Sequence, residues 1–272
     1  MTRCKTFALG LVLLTTSFAS PAADSVSGHY RMDKDRFDVA HGLALPLWKD
    51  AERESYGVLL SAAPINPQVM IGALDPLDAA ASALPEDSGA LLLTVVKDSD
   101  GSLQIASIIA RPDSFSTNGD GEEQIHLEGD RIRGTWTKPS TEFFEKSYEM
   151  SLQFDLPLTV QPDPGAALPA DGGEPGKVYL AFLSALAKKD TKGAVAHMAV
   201  AEEMLEILGV ESLVDIASMN HPVSAEILGG WMDGDRAQLR VKGTHSYGQT
   251  VRGRVEMKRV GEVWKVGDSA LR

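Results

Sequence analysis

One stretch, residues 157–176, constrains the fold of this chain more than any other feature. It reads Pro-Leu-Thr-Val-Gln-Pro-Asp-Pro-Gly-Ala-Ala-Leu-Pro-Ala-Asp-Gly-Gly-Glu-Pro-Gly. Each proline removes a backbone donor, each glycine raises the entropy cost of ordering, and no apolar period survives through the segment. Structureless loops of that length are uncommon inside one compact domain. We therefore expect a solvated, partly extended linker at 157–176, between a mostly-β domain over 24–156 and a second domain over 177–272, each with its own core.

Ahead of the joint the chain reads as strands. Residues 55–61 and 90–97 are apolar runs of strand length, and 103–109 resumes the pattern after Asp98-Ser99-Asp100-Gly101, a turn signal that predicts a hairpin. A second hairpin is predicted from 123–127 and 131–136 around Glu128-Gly129-Asp130, and 148–156 alternates cleanly. One short helix fits 75–84, with Asp75 as cap and Pro76 in the first turn. This block is expected to be an antiparallel β sandwich or open barrel.

After the joint, Tyr179, Phe182, Leu183 and Leu186 fall on one helical stripe. Asp190 caps a short second helix, and further helical segments are predicted at 201–208 and 211–219. Strands follow. Ala237, Leu239, Val241 and Gly243 take one face, with Gln238, Arg240 and Lys242 on the other; Val251, Gly253, Val255 and Met257 repeat this against Arg252, Arg254, Glu256 and Lys258. Helices on one face of an antiparallel sheet make an α+β unit, so the fold class expected for the whole chain is α+β.

The first residues carry a basic start (Arg3, Lys5), an apolar run from Phe7 to Leu14 and small residues up to Ala23. That layout is a secretory signal peptide, expected over 1–23 with cleavage after Ala22 or Ala23, and its apolar run is too short to span a bilayer. The expected location is periplasmic or secreted. Cys4, the one cysteine, falls in the leader, so the mature chain has no disulfide, thiol nucleophile or thiolate metal site. The net charge is −12, and losing the two cations Arg3 and Lys5 takes it to −14. Such a chain repels phosphate backbones and anionic lipid, so neither nucleic acid nor a membrane surface is the expected partner.

The segment 176–272 resembles the nuclear-transport-factor-two-like superfamily, the ketosteroid-isomerase-like cone. The likeness rests on the long first helix ending in Ala187-Lys188-Lys189-Asp190, the short helices after it, and the closing strands with Gly253-Arg254-Val255-Glu256-Met257 and Gly261-Glu262-Val263-Trp264-Lys265-Val266. The resemblance implies a cone-shaped domain, a concave sheet wrapped around a helix and open at one end. Its members include isomerases, dehydratases, hydrolases and non-catalytic binders, so fold alone does not settle function. The front block resembles exported bacterial β domains of unknown function.

Few residues suggest chemistry. His245 and Tyr247 continue the odd-numbered face of the strand holding Leu239 and Val241, and if the alternation holds both point into the cone; His197 could approach the same cavity. A histidine and a tyrosine in an apolar pocket can supply an acid, a base or a hydrogen bond. The competing reading is a rim pair in a polar turn, bracketed by Gly243 and Gly248. Asp233 and Asp235 read as turn residues. Asp98/Asp100 and Asn118/Asp120/Glu122/Glu123 lack the glycine and terminal glutamate of a calcium loop. His29 and His41 have no ligand partner at metal spacing. Residues 172–177 lack the first glycine and the Ser/Thr of a phosphate loop, and no nucleophile elbow or zinc-protease motif is present.

The sequence thus points to an exported protein without cofactor or metal that binds a small apolar ligand or an envelope protein. The alternatives are an isomerase or hydrolase working in the cone with His245 and Tyr247, and a structural module pairing with its own copy through the C-terminal sheet.

Overall fold

The computed structural model describes residues 24–272 apart from 112–114, 119–120 and 144–145; the leader expected over 1–23 lies outside the described residues. Among the described residues strands take 51% and helices 21%, and the strands form three antiparallel sheets of five. The α+β expectation, with its cone-shaped second unit, is therefore overturned: this is a predominantly antiparallel β protein.

The N-terminal half runs β1 (Ser25–Met32), β2 (Asp35–Asp38), β3 (His41–Lys49), β4 (Glu54–Ser61), a 3₁₀ turn (Pro67–Met70), α1 (Pro76–Ser82), β5 (Ala90–Lys97), β6 (Leu103–Arg111), β7 (Phe115–Thr117), β8 (Glu122–Glu128), β9 (Arg131–Phe143) and β10 (Lys146–Pro157). One sheet has the order β2-β1-β10-β9-β8 and the other β3-β4-β5-β6-β7. The β5–β6 and β8–β9 hairpins form where the Asp-Gly and Gly-Asp turn signals stand. The two sheets share one buried cluster that joins Tyr56, Val58, Leu91 and Leu93 to Trp136, Leu152 and Phe154. The opposite face of β3–β5 is also covered. There Leu43, Leu45, Leu59 and Leu92 meet Leu77, Ala80 and Ala81 of α1 and Met70 of the 3₁₀ turn. Each such leucine contributes about 1.5–3 kcal/mol on burial. Asp75 caps α1 by accepting from the Asp78 N–H at 3.1 Å. Pro46 is tolerated in β3 because that strand is an edge and slips register between Pro46 and Trp48.

The C-terminal half runs β11 (Ala166–Leu168), α2 (Gly173–Ala187), α3 (Thr191–Ala196), α4 (Glu202–Leu208), α5 (Val210–Asn220), β12 (Ser224–Asp233), β13 (Arg236–Thr244), β14 (Thr250–Val260) and β15 (Val263–Leu271). The sheet order is β11-β12-β13-β14-β15. The α2 stripe of Tyr179, Phe182 and Leu183 packs on Leu239, Val241, Val255, Met257 and Trp264. Two strands of this sheet are not singled out by the sequence pattern. Alternation in β12 is broken by Gly229 and Gly230, both at positive φ (106° and 149°), where the pairing with β13 shifts register. A Cβ on Gly230 would lie 1.9 Å from the Gln238 carbonyl oxygen, so only glycine fits. The other strand, β11, lies inside 157–176. That stretch is ordered at several points: Leu158 bridges Ala44, Ala166–Leu168 pairs with β12, and α2 begins at Gly173. Among the described residues no helix is long and apolar enough to cross a membrane.

Candidate functional site

The polar face of β13–β14 carries the chemistry. In the antiparallel register Gln238 stands opposite Glu256, Arg240 opposite Arg254, and Lys242 opposite Arg252. Two successive cation–cation pairs on one face are destabilising unless something neutralises them. The N-terminal half neutralises one. Arg252, only 8% exposed, donates from Nε to Asp50 Oδ2 and from Nη2 to Glu52 Oε2, each at 2.8 Å. Lys242 Nζ reaches Glu52 Oε1 at 2.7 Å. Asp50 and Glu52 lie in the turn between β3 and β4. The Asp50 carboxylate also accepts from Trp48 Nε1 and from the N–H groups of Glu52 and Arg53, all at 2.8 Å. Burial alone would raise the Asp50 carboxyl. The Arg252 and Trp48 bonds and the two N–H groups outweigh it and hold the group well below the usual carboxylate range.

The other cation pair has no ion-pair partner among the described residues. Arg254 Nη1 donates to the Ala73 carbonyl at 3.2 Å, and Arg240 Nη2 makes a long contact of 3.5 Å to the Leu228 carbonyl. Among the described residues neither guanidinium has a carboxylate within 4.0 Å, and the Arg53 guanidinium on the facing wall has no polar partner. Burial pushes the Arg254 pKa down, the more distant Asp163 and Asp75 oppose that, and Arg240 adds to it. Elsewhere in the same cleft, Lys49 pairs with Glu54 and Arg272 with Asp75.

Arg53, Arg240, Arg252 and Arg254 line a cleft of about 600 Å³ between the two halves. Leu45, Leu47 and Trp48 of β3 with Val160 form an apolar wall, and Trp231, 5% exposed, closes part of the other side. The volume lies in the range of small-molecule sites, and apolar walls with a few convergent polar groups are their usual character. The lining contains no histidine or cysteine. The cleft can hold and orient an anion through forked N–H donors, and the exposed Asp163 carboxylate stands on its rim.

The residues expected to carry chemistry lie elsewhere. Strand β13 ends at Thr244, and the chain turns through bonds from His245 N to Gln249 O and from Gly248 N to His245 O, both 2.8 Å. The alternation therefore stops before His245 and Tyr247, and neither points into an apolar cavity. Their rings stack at 5.3 Å on the β13–β14 turn, with Tyr247 84% exposed, and His245 Nε2 lies 2.8 Å from the Met219 carbonyl. His197 ends α3, and its carbonyl accepts from the Val266 N–H at 2.7 Å. Asp98 and Asp100 cap their own turn, accepting from Ser99 and Ser102. The loop at 118–123 falls partly outside the described residues.

The buried histidine–tyrosine pair is a different one. His221 Nδ1 lies 3.3 Å from the Tyr179 hydroxyl, and its ring meets Phe182 edge-on at 5.1 Å. Burial pushes the imidazole down to about 4 and raises the Tyr179 hydroxyl above its ordinary value. The pair sits where α2 meets the end of α5, as part of the packing there. The sequence offered only a weak sign of it, a histidine between the end of a helix and a proline. Among the described residues no three His, Cys, Asp or Glu side chains converge as a metal site. No protein-family model matches the chain, and no curated protein matches it.

Proposed function

We propose that this chain is an exported, non-catalytic binding protein whose ligand is a small molecule with an anionic head, a carboxylate or phosphate, on an apolar body. One observation carries the reading: Arg240 and Arg254 stand opposite each other on adjacent strands, in an acidic protein, and among the described residues no carboxylate lies within 4.0 Å of either. A charge pair of that kind is a cost to the empty fold and a gain once an anion bridges it. Trp48, Leu45, Leu47 and Val160 would cover the apolar body. Of the two partners the sequence suggested, a small apolar ligand or an envelope protein, this reading takes the first and gives it a charged end.

The test compares melting in inorganic phosphate with melting in sodium chloride of matched ionic strength. Phosphate at ten times its dissociation constant should stabilise the wild type by about 1.4 kcal/mol. Arg240→Gln/Arg254→Leu should lose that gain while melting no lower than wild type in chloride. An equal phosphate gain in the variant would refute the site.

A further inference from the structure

Helix α4 buries none of its side chains. A helix of seven residues is not held by its own propensity in water. Its apolar stripe, Met204, Ile207 and Leu208 at i, i+3 and i+4, faces solvent, with Ile207 75% exposed. Gly209 joins α4 directly to α5, where Ile216 and Met219 are also exposed, Met219 by 64%. The charge on these two helices is of one sign. Between Lys192 and Arg236 the chain has no lysine or arginine and eight carboxylates. Five of them, Glu202, Glu203, Glu206, Glu211 and Asp215, stand on α4 and α5. Among the described residues none of the five has a cation within 4.0 Å.

We infer that the α4–α5 face docks a cationic amphipathic segment of a partner protein, with lysine or arginine interleaved among apolar side chains. Exposed apolar side chains at helical spacing accept the apolar face of such a segment, and the unpaired carboxylates meet its cations. The same charge argues against the other occupants. A symmetric contact between two copies would set carboxylate against carboxylate, and an anionic bilayer would be repelled. The face is separate from the arginine cleft, so the inference stands whether or not an anion binds there.

The probe is a fluorescent Leu/Lys amphipathic peptide of about 14 residues. Binding to the mature chain is read by anisotropy at about 0.15 M salt, with hydrogen exchange to locate the contact. Glu203→Lys/Glu206→Lys and Ile207→Ser should each weaken binding by at least about tenfold. Glu86→Lys/Asp87→Lys, an equal charge change at a distant exposed turn, should weaken it less than about twofold. Protection should fall within 202–219. Because α4 buries nothing, the variants should melt as the wild type does. The inference is overturned by failure of the wild type to bind, by equal losses in patch and control variants, or by protection elsewhere. Self-association through Ile207, or capture of phosphatidylglycerol vesicles by it, would overturn it equally.

Discussion

Strands β4 and β13 are both interior strands of five-stranded antiparallel sheets, yet their second faces are used differently. In β4 every residue from Ser55 to Ser61 is buried. Tyr56, Val58 and Leu60 enter the core shared with β10, and Leu59 lies under α1. In β13, Ala237, Leu239 and Val241 are fully buried beneath α2, while the other face carries Gln238, Arg240 and Lys242. That face is covered by the N-terminal half through ion pairs. A sheet face closed by leucines leaves no room and no unmet charge. One closed by arginines leaves a seam wherever carboxylates run short, and the seam is the candidate site.

The comparison can be broken most directly in the cores. Phe154→Ala in the N-terminal core should cost about 4 kcal/mol and Leu239→Ala in the C-terminal one about 3 kcal/mol. In calorimetry each should move the unfolding of its own half more than that of the other. One transition moved equally by both would mean that the seam couples the halves into a single unit. Acid should next separate them. His221 is held down to about 4, against 6.5 unfolded, so its contribution is complete above 6.5 and is lost as pH falls through 4. The loss amounts to about 3 kcal/mol, measurable in urea melts at pH 7 and 4, and His221→Phe should flatten it. The N-terminal half has no equivalent, since His29 and His41 are half-buried and His126 is exposed.

Asp50→Ala should cost about 2 kcal/mol by leaving Arg252 Nε and the Trp48 N–H without their acceptor. Its signature should be faster hydrogen exchange across the seam with both cores intact. Because the Asp50 carboxyl is lowered, its contribution is present above the ordinary carboxylate pKa and is lost only well below it. The seam should therefore be unchanged between pH 7 and 5, where the His221 effect has already begun. At the small end, Arg36→Ala removes a pair whose partners are 51% and 72% exposed, and should change stability by less than about 0.5 kcal/mol.

Alternation and turn chemistry made β5, β6, β8, β9, β10, β13 and β14 legible, and the α2 stripe was legible at its helical spacing. Strand β12 was hidden because Gly229 and Gly230 interrupt its apolar pattern, and β3 because Pro46 sits inside it. His245 and Tyr247 were misplaced by extending a period-2 pattern through a turn that local hydrogen bonds had already closed. The polar face of β13–β14 was identified correctly as a face, but nothing in the strand says whether water or protein covers it.

The chain by itself determined where strands and helices form and which side chains share a face, because those follow from neighbours a few residues apart. Only the tertiary structure decided what meets those faces. Arg252 and Asp50 stand 202 residues apart, and no local period connects them. At the cleft, two carboxylates in the β3–β4 turn reach Lys242 and Arg252, and among the described residues none comes within 4.0 Å of Arg240 or Arg254. That shortfall is fixed by the docking of one half against the other.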